Sequence, residues 1–122
     1  MKQHLLQSPE WEEYEKSEGQ KTFRVEGEGF SALAVLKKTA LGNYLYCPYG
    51  PTVEFRNAEE CKKNFERALE ALKQLAKEQK AFFIRVEPTF DVIDAEEMKA
   101  LGFEKSHDID PAHTWVLKLD QL

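Results

Sequence analysis

The stretch from Asn57 to Val86, NAEECKKNFERALEALKQLAKEQKAFFIRV, carries two hydrophobic periods in succession. Asn57 is a favourable N-cap, and Glu60 stands at the capping-box position. From there Cys61, Phe65, Ala68, Leu72, Leu75 and Ala76 recur at steps of three and four, which predicts one apolar stripe on a helix running to about Gln79. The opposite face, with Lys62, Lys63, Glu66, Glu70, Lys73 and Lys77, reads as solvated surface. Ala81 to Val86 (AFFIRV) then predicts a buried strand, ended by Glu87-Pro88. A strand reached through a long helix implies a crossover connection and therefore a mixed or parallel sheet.

Towards the N-terminus, three strand-like segments precede this unit. Thr22 to Glu26 alternates, Phe30 to Leu36 is a longer apolar run buried on both faces, and Tyr44 to Cys47 is closed by Pro48-Tyr49-Gly50-Pro51. Two prolines in four residues predict a rigid loop at the strand end. The short connections predict an antiparallel meander. Ahead of it, Ser8 as cap, Pro9 at the first helical position and Gly19 at the end predict a helix with a thin apolar face (Leu5, Leu6, Trp11, Tyr14), lying on the surface of the sheet.

Towards the C-terminus, Asp94 and Glu97 predict a capped short helix ending at Gly102, with Phe103 packing the turn. Residues 104–113 read as a polar loop and Thr114 to Leu119 as a last strand. The expected order is α-β-β-β-α-β-α-β, a single α/β (α+β) domain over 1–122 with one mixed β-sheet flanked by helices.

Composition narrows the function classes. The 122 residues are 42% apolar, with eight Phe, four Tyr and two Trp, enough to build a core and incompatible with a disordered chain. Seventeen basic against 22 acidic residues give a net charge of −5, and no basic stripe of a general nucleic-acid binder, DNA included, is visible. No apolar run reaches the ~18–20 residues of a membrane span, and the acidic turn of MKQHLLQSPEWEEYEK predicts no signal peptide and a cytoplasmic protein. Cys47 and Cys61 lack metal-ligand spacing and read as free, packed thiols. His107 and His113 have no nucleophile or ligand partner at usable spacing. No metal site follows.

The order of elements is similar to that of a GNAT-like acyltransferase domain, and the residues point to something narrower. Leu6-Gln7-Ser8-Pro9-Glu10-Trp11, Tyr44-Leu45-Tyr46-Cys47-Pro48-Tyr49-Gly50-Pro51, Phe83-Ile84-Arg85-Val86-Glu87-Pro88, Ala100-Leu101-Gly102-Phe103 and the closing Pro111 to Leu119 occur in one order. Together they resemble the first half of the FemAB/FemX family of non-ribosomal peptidyltransferases. The resemblance implies transfer of an amino acid from aminoacyl-tRNA to an amine on the stem peptide of a peptidoglycan precursor, UDP-linked or lipid-linked. It also implies two GNAT-like subdomains and no cofactor. The chain ends at Asp120-Gln121-Leu122, where the family continues into its second subdomain, so tRNA contact and complete catalysis are expected to need that missing part.

Within the resemblance, Glu87 occupies the acidic position of the family's R-x-[DE]-P motif. It is the candidate general base for the attacking amine, or else it ends the strand and pairs with Arg85 or a nearby lysine. Arg85, two residues earlier and on the same strand face, is a candidate fork for a phosphate or carboxylate of the precursor, or an ion-pair partner of Glu87 or Asp91. The resemblance places Lys16 near the precursor diphosphate. Tyr46, Tyr49 and Phe82 are candidates to line the cleft, although Tyr49 stands where the family often has a basic residue.

Two other classes stay open. One is a non-catalytic structural or partner-binding half, with Phe82, Trp115 and Leu117 as an exposed interface for a homodimer or the second subdomain. For every class the expected location is the cytoplasm, the inner face of the membrane included. The other is a stand-alone GNAT-type N-acyltransferase. Gly50-Pro51-Thr52 is too short and rigid for a pyrophosphate-binding loop, which argues against acetyl-CoA.

Overall fold

In the computed structural model, which describes residues 7–19, 21–90, 92–105 and 114–119, Asn57 caps a helix α2 over Ala58–Glu78. The Asn57 side chain accepts from the Glu60 backbone N–H as the sequence predicts. The Glu60 carboxylate, however, turns outward to the backbone and guanidinium of Arg56, so the reciprocal half of the capping box is replaced by an i,i+4 contact. Before α2 come a helix α1 (Pro9–Ser17) and strands β1 (Lys21–Gly27), β2 (Phe30–Thr39), β3 (Gly42–Cys47) and β4 (Thr52–Val53). After it come β5 (Ala81–Val86), a short helix α3 (Ala95–Ala100), β6 (Phe103–Lys105) and β7 (Trp115–Lys118).

The strands form one mixed sheet in the order β1-β2-β3-β5-β7-β6, with β4 pairing the start of β2. β1, β2 and β3 make the antiparallel meander, and β5 lies parallel to β3, as a helical crossover requires. Two strands depart from expectation. Thr52–Val53 pairs Phe30 and Ser31, because β2 outruns β3 and leaves ladder positions open. Phe103–Lys105 pairs β7 and forms the sheet edge, where residues 104 and 105 were expected in a loop. Residues 106–113, with His107 and His113, lie outside the described residues, as do Leu5, Leu6 and Asp91.

Alternation along the strands separates two faces. Ala32, Ala34, Leu36, Leu45, Cys47, Ile84, Val86, Trp115 and Leu117 join Cys61, Phe65, Ala68, Leu72 and Ala76 of α2 in a single apolar core. Phe65 is fully buried and its ring meets those of Phe90 and Phe103. Trp115 and Leu117 are 7% and 6% exposed, so they are core residues of this chain and offer no surface for a homodimer. The expectation of an interface there is corrected by β7 lying inside the sheet, between β5 and β6.

On the other face α1 packs against β1. Ser8 caps it, Pro9 opens it, and Gly19 at φ +82° ends it where a side chain would be strained. No residue of α1 is buried, in keeping with its thin apolar stripe. Its attachment is polar: Glu12 pairs with Arg24 of β1 at 2.9 Å and with Lys16 at 3.3 Å, and Arg24 also donates to the backbone of Gln7 and to Ser31.

Candidate functional site at the ends of the parallel strands

β3 and β5 run parallel and both finish at the Cys47–Pro51 turn. In open α/β sheets the crevice beyond the carboxyl ends of the strands is the usual ligand position. Two buried side chains from distant segments hold this turn. Gln7, fully buried just ahead of α1, fills the gap where β2 and β3 part. Its amide donates to the carbonyls of Pro48 (2.6 Å) and Leu33 (3.1 Å), and its oxygen accepts from the Leu33 N–H (2.8 Å). The side-chain amide thus stands in for a missing ladder peptide. A Cβ on Gly50 would come within 2.7 Å of that amide, so only glycine lets the turn close against it.

Glu87 holds the turn from the other side. Its backbone N–H donates to Gly50 (3.0 Å), and its carboxylate accepts from the Tyr49 N–H and from the Thr114 hydroxyl, both at 3.1 Å. The Tyr46 phenol adds a third hydrogen bond to the same carboxylate. Burial first, and this bond second, raise the Tyr46 phenol well above its usual range and keep it a neutral donor. Burial likewise pushes the Cys47 thiol up to about 12, against a smaller opposing effect of the contact with Gln7. Fixed from both sides, Tyr49 adopts φ +53°, uncommon for a residue with a side chain, and its ring is 42% exposed.

Beside the turn, Arg85 is the register partner of Tyr46. Its guanidinium lies over the rings of Tyr44 (5.2 Å) and Phe83 (5.7 Å), which stack on each other at 4.5 Å. Glu87, Arg85, Tyr46 and Tyr49 are therefore brought together. Phe82 stands further off: it lies near the start of β5, at the opposite end, where the register with β3 shifts, and its ring meets that of Phe83 edge-on at 4.8 Å. Lys16 also stands apart: it sits half-exposed on α1, paired with Glu12.

The sequence reading missed Gln7, Thr114, Tyr44 and Phe83. For the two aromatics a signal existed, since they stand two positions before Tyr46 and Arg85 and share their face. A depression of about 360 Å³ lies elsewhere, between Lys63, Arg67, Glu70 and Lys73 of α2 and Leu101, and is lined by charges of both signs.

The FemAB family profile matches residues 1–110, the span that holds the turn, both parallel strands, Arg85 and Glu87. The chain belongs to the FemAB family. The FemAB family is one of peptidoglycan-related aminoacyltransferases. Among solved structures, the crystal structure of FemX superposes with a TM-score of 0.68 at 28% identity, over 88% of this chain. The chain spans 31% of the FemX chain. No curated protein matches it. As a FemAB-family fold, the chain has the mixed sheet flanked by helices expected of a GNAT-like domain. Among the described residues no helix is long and apolar enough to cross a membrane.

Proposed function

We propose that this chain is the first, muropeptide-binding half of a tRNA-dependent aminoacyltransferase acting on the peptidoglycan precursor stem peptide at the cytoplasmic side. The supporting observation is the assembly of Tyr46, Tyr49, Arg85 and Glu87 at the shared end of β3 and β5 in a FemAB-family chain. Arg85, backed by two rings, offers a planar cation to a phosphate or carboxylate of the precursor. The exposed Tyr49 ring offers an amphipathic surface to sugar or peptide. Three donors on Glu87 favour a positioning role, holding Tyr49, over proton abstraction from the stem-peptide amine. Aminolysis of an aminoacyl ester then rests on alignment of amine and carbonyl, with aminoacyl-tRNA carried by a second unit. Lys16 contributes from α1 only if the precursor extends towards it.

A thermal-shift titration with UDP-MurNAc-pentapeptide tests this, with acetyl-CoA as control. A ligand that binds the folded state raises the melting temperature by mass action. The expected result is a rise with the muropeptide that is lost in Arg85→Ala. No rise with either ligand supports a structural half, and a rise with acetyl-CoA alone supports a GNAT-type N-acyltransferase.

A further inference from the structure

The opposite end of the same sheet has a different character. β2 finishes there with Lys37 and Lys38, β5 begins after Lys80, β7 ends at Lys118, and α2 delivers Lys77 in its last turn. The register confirms the gathering: Lys37 pairs Tyr44, Lys38 pairs Asn43, Asn43 pairs Ala81, and Phe83 pairs Lys118. Among the described residues, these five lysines are met by Glu78 of α2 and by Glu104 of β6, the latter 3.4 Å from Lys118 with both side chains largely exposed. A chain of net charge −5 thus concentrates positive charge at one end. No stripe in the sequence shows it, because the lysines come from three separate elements and the turn between α2 and β5.

Amid these lysines stands Leu41, 92% exposed, on the turn that joins β2 to β3. The turn is held by Thr39, whose hydroxyl accepts from the Leu41 N–H (3.1 Å) and donates to the Gly42 carbonyl (2.8 Å). An ordered turn therefore keeps a large apolar side chain in water at the sheet end that carries these lysines. A phosphate backbone would use the lysines and leave Leu41 idle. A lipid surface uses both, since anionic headgroups attract the lysines and the acyl boundary accepts the leucine.

We propose that this end of the sheet docks on an anionic lipid bilayer, with Leu41 entering the headgroup boundary and Lys37, Lys38, Lys77, Lys80 and Lys118 facing the lipid phosphates. The inference deepens the proposed function, because it favours the lipid-linked form of the precursor. β5 spans six residues, so the Tyr49–Glu87 site stands roughly 17 Å further along the strands at ~3.3 Å per residue. An extended five-residue stem peptide covers about the same distance.

Co-sedimentation of the full chain with vesicles tests the proposal, comparing pure phosphatidylcholine with a mixture containing 30% phosphatidylglycerol. Binding is expected only with the anionic vesicles and is expected to be lost in 0.5 M NaCl. Leu41→Ser is expected to weaken it about tenfold, and Lys37→Glu/Lys38→Glu by at least about 25-fold, at about fivefold per lysine. Both variants change exposed or half-exposed positions, so their melting temperatures are expected to match the parent. Absence of binding, or binding indifferent to Leu41→Ser, overturns the proposal. Filter binding of an RNA homopolymer that Leu41→Ser leaves intact, without vesicle binding, assigns the lysines to nucleic acid instead and also overturns it. The muropeptide thermal shift is read without vesicles, so its failure and the failure of docking are separate results.

Discussion

The core beneath α2 is buried, as is the Cys47–Pro51 turn apart from Tyr49, yet opposite means hold them. Under α2 the contacts are apolar and interchangeable in kind: Phe65, Leu72, Ile84 and Leu45 exclude water wherever they meet. At the turn the contacts are directional and individually assigned. Gln7 supplies three hydrogen bonds to β2 and Pro48, and Glu87 ties Tyr49, Gly50, Thr114 and Tyr46 to one strand end. An apolar core tolerates small rearrangement, whereas a buried polar clasp that loses one partner leaves others unsatisfied. The lesson is a division of labour: hydrophobic burial stabilises the domain, and polar anchoring sets the shape of the part that faces a ligand.

The sharpest stability contrast comes from the core. Phe65→Ala removes a fully buried ring in contact with two others, and urea denaturation is expected to show a loss of about 3–5 kcal/mol. Gln7→Leu keeps a similar volume but orphans the Leu33 N–H and the carbonyls of Leu33 and Pro48, for an expected loss of about 2–3 kcal/mol. A loss below about 0.5 kcal/mol would mean that the turn stands without its clasp, and the comparison would fail. Glu87→Gln retains an acceptor for only part of the donor set. It is expected to lower stability by about 1–2 kcal/mol and to abolish the muropeptide thermal shift; Arg85→Ala should abolish that shift with stability nearly unchanged. The smallest effect concerns the attachment of α1. Burial alone would raise the Glu12 carboxyl, but hydrogen bonds and charge from Arg24 and Lys16 outweigh it and hold its pKa below the usual value. The resulting stability is complete above the unfolded-state glutamate pKa and is lost as pH falls through the lower folded value. Trp11 fluorescence should therefore report loosening of α1 only below about pH 4, and Glu12→Gln should flatten that transition.

What was legible in the sequence follows from local physics. The cap at Asn57 and the three-and-four spacing of Cys61 to Ala76 specify α2, and the crossover specifies a parallel pair. Ser8, Asp94 and Gly19 mark helix ends because capping involves only neighbouring residues. Strands β4 and β6 escaped notice because two or three residues carry no period of their own and pair only where a longer partner leaves a ladder open. The candidate site divides the same way. Arg85 and Glu87 share a face by strand alternation, and the PYGP turn is visible as such. That Glu87 would be occupied by Tyr49, Tyr46 and Thr114 was not visible, since its partners lie 27 to 41 positions away.

By itself, then, the sequence determined the elements, the apolar stripe that joins them and the family resemblance, all of which rest on spacing along the chain. Only the tertiary structure decided that Gln7 completes a ladder between parted strands, that Trp115 and Leu117 are core, and that β2, α2, β7 and the α2–β5 turn bring their lysines to the sheet end that carries Leu41. Those facts depend on which distant segments share a sheet end, and a hydrogen bond or a pooled charge between distant segments leaves no periodic trace in either one.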